Sequence, residues 1–145
     1  MLERLAAFLG VILLLALVLG VLQILKARGR VRLQGSNAGA SVVEGENSPV
    51  LLVFTAPYCS ICRRKQRPAV EEVTLDFGKA LAVREIDVTV QPELADQFGV
   101  ATVPSSFVID VDGKVQATNH GLASAERLRR QLQEVLAPEI REQMR

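Results

Sequence analysis

The sequence predicts an α/β domain, with a central mixed sheet flanked by helices, preceded by one N-terminal transmembrane helix. Three observations carry this reading. An apolar run from Val50 to Phe54 is long enough for one strand buried on both faces, and the segment stops at Pro57. The only cysteines, Cys59 and Cys62, follow at once, at the head of a basic segment that reads as helix. Leu5 to Leu25 is apolar except for Gln23. At ~1.5 Å per residue such a run crosses a ~30 Å hydrocarbon core, and only a helix satisfies its own backbone there.

The chain divides into residues 1–30, an anchor with a basic flank; 31–48, a flexible linker; 49–138, the α/β domain; and 139–145, a charged tail. Ala38-Gly39-Ala40 has the small-x-small form of a leader cleavage site. It lies well past the apolar run and beyond a basic segment, so the run reads as a retained anchor in the lipid bilayer. Lys26, Arg28, Arg30 and Arg32 follow the span, with no acid before Glu44. The positive-inside rule places that flank, and the domain after it, on the cytoplasmic side of the cell membrane. Gly, Ser and Asn dominate from Gln34 to Ser48 without a sustained apolar period, as in a tether; Val31-x-Leu33 or Val42-Val43 has the option of a short edge strand.

Within the domain, Pro49 to Ala56 is the first strand and Ser60 to Phe77 the first helix, with Pro68 expected to kink it. Ala80 to Ile86 is a second strand, ending at Asp87. Pro92 suits the first turn of a short helix to Phe98, closed by Gly99. Ser106 to Val111 and Lys114 to Thr118 form a hairpin about Asp112-Gly113. Ser124 caps a last helix carrying Leu128, Leu132, Val135 and Leu136 at helical spacing, and Pro138 ends it. Helices must cover both faces of a sheet built in this order.

A formal net charge of +1 argues against nucleic acid as a partner. Two cysteines are too few for a disulfide scaffold or a structural zinc site, so a redox pair outranks a staple. A helix N-terminus carries partial positive charge and unpaired N–H groups, which favour thiolate over thiol. Two cysteines in one first turn close a small ring with little backbone movement, so the pair is built to make and break a disulfide. Cys59, at the exposed end of the helix, is the expected nucleophile, with Arg63 and its neighbours Arg64, Lys65 and Arg67 lowering its pKa. His120, the only histidine, reads as a strand-end residue rather than a metal ligand.

The chain resembles the thioredoxin-fold family. The resemblance rests on Phe54-x-Ala56-x-Tyr58-Cys59-x-x-Cys62, Ile86-Asp87, Phe98-Gly99-Val100-x-x-Val103-Pro104, Asp112-Gly113-Lys114 and Gly121, in family order from about Val50 to Leu136. It implies a membrane-tethered thiol–disulfide oxidoreductase with no cofactor beyond the redox-active Cys59–Cys62 disulfide. Its implied partners are disulfide-containing or dithiol protein substrates and an unidentified electron donor. Cys59 takes the attacking role and Cys62 the resolving one. Val103-Pro104 matches the cis-proline position, where the backbone pairs with substrate, and Tyr58 stands at the rim in place of the usual tryptophan. The family's buried acid falls at Val53 and its familiar lysine at Val83. Membrane-tethered relatives often face outward, which opposes the basic flank. A non-catalytic binding module and a thiol-based metal carrier are the alternatives that the residues leave open.

Overall fold

The computed structural model describes residues 12–21 and 37–143. Two compact units, Met1–Arg32 and Leu33–Arg145, are distinguished, and each is taken by itself. In the first, residues 12–21 are helical with exposed side chains. The rest of the expected span, residues 5–11 and 22–25, lies outside the described residues, as does the basic flank. No helix among the described residues is long and apolar enough to cross a membrane.

In the second unit, β1 (Val50–Thr55) pairs in parallel with β2 (Ala82–Asp87) and antiparallel with β3 (Ser105–Ile109), which pairs antiparallel with β4 (Val115–His120). The sheet order among the described residues is β2-β1-β3-β4, the mixed sheet expected from sequence. Side chains of β1 alternate between two cores. Leu52 and Phe54 join Ile86, Phe98, Phe107 and Ile109 on one face. Leu51 and Val53 join Val73, Val108, Leu128 and Leu132 on the other. Phe54, Phe98 and Phe107 form a triangle with ring centroids 5.0–5.7 Å apart, the tilted and edge-on spacing that aromatic quadrupoles favour.

Three stretches differ from the sequence reading. Part of the expected linker packs onto the domain. Ala40–Val43 is a helical turn (α1), and Val42 and Val43 are buried in the first core instead of forming an edge strand. The Gly39 N–H donates to the Gly113 carbonyl at 3.0 Å, Gln97 Nε2 donates to the Ala38 carbonyl at 2.9 Å, and Arg84 pairs with Glu46 at 3.1 Å. Two adjacent valines with an apolar sheet face beside them gain more from burial than a tether gains from freedom. Second, the first helix opens with a π-helical turn, Cys62–Gln66, before α2 (Arg67–Phe77), and the Arg67 N–H reaches the Cys62 carbonyl five residues back. Pro68 has no N–H for the Arg64 carbonyl and its ring needs room there, so the kink takes the form of a widened turn. Third, the last helix, which follows the short α3 (Pro92–Gln97), is α4 (Ala125–Gln143), and it runs through Pro138 instead of ending at it. Proline removes one backbone bond, and the good helix formers after it continue the helix.

The hairpin turn is larger than Asp112-Gly113 alone. The Asp110 N–H donates to the Lys114 carbonyl, and the Asp110 carboxylate accepts the backbone N–H groups of Asp112 and Lys114 at 3.1 and 2.9 Å. Gly113 has φ +79°, and a Cβ there would lie 2.6 Å from Ala40 Cα. Gly113→Ala therefore meets both strain and a backbone clash. It should lower the unfolding free energy by about 2 kcal/mol or more, read from denaturant midpoints of the full chain. An unchanged midpoint would show that α1 does not sit against the hairpin.

Candidate active site

β1 ends at Thr55, and the chain turns through Ala56-Pro57-Tyr58 into the helix. The Cys59 N–H donates to the Ala56 carbonyl at 3.0 Å, which places the first sulfur at the helix mouth. Cys59 and Cys62 are joined as a disulfide with Cα atoms 5.3 Å apart. The Cys62 backbone N–H points at Cys59 Sγ, 3.1 Å away. A helix-end amide with no intrahelical partner is thus spent on sulfur. Both sulfur residues are buried, at 8% and 4% exposure, in a small cluster with Ala56, against which Val88 and Val103 pack.

The structure gathers most of the sequence-predicted residues. Val103 touches the sulfur cluster, and the Val103–Pro104 peptide bond is cis. The Pro104 carbonyl accepts the Gly121 N–H at 2.8 Å, which ties the proline loop to the segment after β4. Tyr58 stands 73% exposed at the rim. Arg63 lies on the exposed side of the first turn, and its guanidinium donates to the Pro57 carbonyl, bracing the approach to Cys59. His120 is exposed at the end of β4, edge-on to Phe107.

Several residues were not foreseen from sequence. Ile61 and Leu122 are large apolar side chains about half exposed, one between the cysteines and one just after Gly121. Gln66 is 2% exposed; its Nε2 donates to the Ala123 carbonyl at 3.2 Å and its Oε1 accepts the Ala123 N–H at 2.9 Å. One side chain thereby satisfies both backbone groups of a buried residue in the segment after Gly121. Its signal was its place one turn after Cys62 on the buried side of the helix, hidden because glutamine usually marks a wet face. Asn119 bridges Ser106 and Gln131 on the same side of the sheet. Ser106 lies opposite Val53, so an apolar side chain and a hydroxyl stand where the family resemblance puts an acid. Asp87, by contrast, has the turn-forming role that its place after a strand suggests: at the end of β2 it closes a turn on Thr89. Its carboxyl is held below the ordinary value first by the Thr89 hydroxyl and then by the Thr89 and Val90 N–H groups.

The Thioredoxin family model matches residues 31–134. Thioredoxin of Bacillus subtilis (strain 168) is 34% identical over 85 residues, covering 59% of this chain and 80% of that protein. Thioredoxin of Listeria monocytogenes is 37% identical over 79 residues, covering 54% and 75%. Among solved structures, a mutant thioredoxin from Halobacterium salinarum NRC-1 superposes with a TM-score of 0.57 at 30% identity, covering 71% of this chain and 87% of that one.

Two outcomes test this geometry. Gln66→Ala leaves the buried Ala123 N–H and carbonyl unpaired, and should destabilise the fold by roughly 2–4 kcal/mol in denaturant unfolding; a near-zero change would mean that water replaces the amide. The Asp87 carboxyl titrates lower folded than unfolded, so its turn stabilises the fold above the unfolded pKa and that contribution is lost as pH falls through the folded pKa. An NMR titration should find its midpoint below that of an ordinary aspartate, and Thr89→Val should return it upward. A midpoint unmoved by that substitution removes Thr89 as the cause.

Proposed function

The chain belongs to the thioredoxin family and is a thiol–disulfide oxidoreductase, and from that premise we propose that it reduces protein disulfides through a mixed disulfide on Cys59. The observation that carries this reading is the Cys62 N–H aimed at Cys59 Sγ from 3.1 Å. In the reduced pair the same donor, at the positive end of a helix, holds Cys59 as thiolate.

The thiolate attacks one sulfur of a substrate disulfide. That S–S bond breaks, and the displaced sulfur leaves with the electron pair and takes a proton from water. Cys62 then releases its proton to solvent, since no ionisable side chain besides the two cysteines is buried among the described residues. Its thiolate attacks Cys59 Sγ, the mixed disulfide breaks, and the second substrate sulfur departs. The substrate gains two electrons, and the pair loses two and closes as the Cys59–Cys62 disulfide. An external dithiol donor reopens it; the pair itself is the only redox group the cycle needs. Tyr58 and the Val103–Pro104 backbone flank the sulfurs and offer an extended substrate a rim and a strand to pair with.

The apolar run of residues 5–25 tethers the domain to the cell membrane in this reading, and the basic flank keeps the domain on the cytoplasmic face. There a reducing poise keeps the pair open between turnovers.

Cys59→Ser should abolish reduction of a model protein disulfide. Cys62→Ser should accumulate a covalent adduct that dithiothreitol releases, visible on non-reducing gels. Partner binding that persists in Cys59→Ser, with no reduction by the unsubstituted chain, would establish a binding module instead. A reporter fused after Arg145 should be active only on the cytoplasmic side; activity only outside overturns the orientation.

A further inference from the structure

Arg63, Arg64, Lys65 and Arg67 crowd the first two turns after Cys62, and the first turn holds no acid. All are exposed. This is the positive end of the helix, where cations are disfavoured and acids are the stabilising choice. A sequence that breaks a local rule at the edge of a reactive site is serving something other than stability.

The cations divide by what they touch. Arg63 is engaged with the Pro57 carbonyl, and Arg67 with Glu85 at 3.0 Å. Arg64 and Lys65 have no hydrogen-bond or ion-pair partner among the described residues. They stand three and four residues after Ile61, one turn behind it on the helix surface. Helical side chains lean toward the N-terminus of their helix, so both reach toward the end that carries the disulfide. Of the two acids of β2, Glu85 pairs with Arg67 and Asp87 has its carboxylate engaged by Thr89. The exposed side chains that flank the two cysteines along the chain are therefore apolar at Tyr58 and Ile61 and positive at Arg64 and Lys65.

We propose that Arg64 and Lys65 select protein substrates whose disulfide is flanked by acidic residues. This rests on the disulfide-reductase reading above. Cys59 is only 8% exposed, so a substrate must present its disulfide closely to react, and residues flanking that disulfide then come over the first helical turns. Two free cations there raise the encounter rate of an acidic segment and disfavour a basic one. The preference acts on association and is screened by salt.

The test uses the reduced full chain and disulfide-bridged peptides of one cysteine spacing, flanked by Asp/Glu, by Ser/Gln, or by Lys/Arg. At about 20 mM salt the acidic peptide should react about tenfold faster than the basic one, and the difference should collapse near about 500 mM. The double variant Arg64→Glu, Lys65→Glu should reverse the order of the acidic and basic peptides, each rate taken relative to that of the neutral peptide with the same variant, so that any change in sulfur reactivity common to all three cancels. It should not lower thermal stability, because it removes like charge from the positive end of the helix. Equal rates for the three peptides at low salt, or an order that survives the double reversal, overturns the proposal. Binding of phosphatidylglycerol vesicles that is lost in the double variant, with peptide order unchanged, assigns the cations to a membrane surface and overturns it too. If no peptide is reduced in a Cys59-dependent way, the reductase reading itself falls and takes this inference with it.

Discussion

Every residue of β1 from Val50 to Phe54 is 5% exposed or less, and a strand held between β2 and β3 with both faces covered has nowhere to slide. A shift of one residue would exchange Leu51 and Val53 for Leu52 and Phe54 between two differently shaped cores. Each large side chain so buried stabilises by about 1.5–3 kcal/mol, against about 1–2 kcal/mol for ordering its backbone. The end of that strand is therefore a fixed point. Ala56, one residue on, accepts the Cys59 N–H, so the position of the first sulfur is inherited from the core. Fixed placement matters because thiol–disulfide exchange needs the attacking and attacked sulfurs aligned, and a mobile loop would lose that alignment at each encounter.

Beneath the pair, the second core is not wholly apolar. Gln66 holds both backbone groups of Ala123, and Asn119 links β3, through Ser106, to α4, through Gln131. These groups are neutral, and each has its partners, so they rigidify without the desolvation penalty of a buried charge. They connect the helix that carries Cys62 to the segment after Gly121, whose N–H holds the proline loop. The three walls of the site thus share one frame. Val53 lies opposite Ser106 in that frame and supplies no base, so the proposed mechanism sends the proton of Cys62 to solvent.

The parts legible in the sequence were those with strong local patterns. The apolar run of β1, the paired cysteines, the Gly-Val-x-x-Val-Pro segment and the helical spacing of Leu128 and Leu132 each depend on neighbours within a few residues. What stayed hidden depends on contacts far along the chain. Val42 and Val43 sit in a Gly- and Ser-rich stretch, and only the sheet face beside them makes that stretch helical and buried. Asp110 organises its turn by accepting two backbone N–H groups, a role that a single aspartate does not announce. Gln66 looks like a surface residue until the 57-residue separation from Ala123 is closed by folding. Pro138 shows the converse error: a strong local signal for helix ending is overridden by the helix formers that follow it.

The charge at the head of the first helix bears on the direction of electron flow. Cations near the positive pole are disfavoured there, and a thiolate at Cys59 would relieve that pole, whereas a disulfide does not. The reduced pair is therefore favoured electrostatically over the closed one, and stabilising the reduced form makes the disulfide a better electron acceptor. A pair of this kind donates electrons to substrates only while something else keeps it open. The same positive charge that would prepare the sulfur for attack makes the proposed reductase role depend on an external source of dithiol.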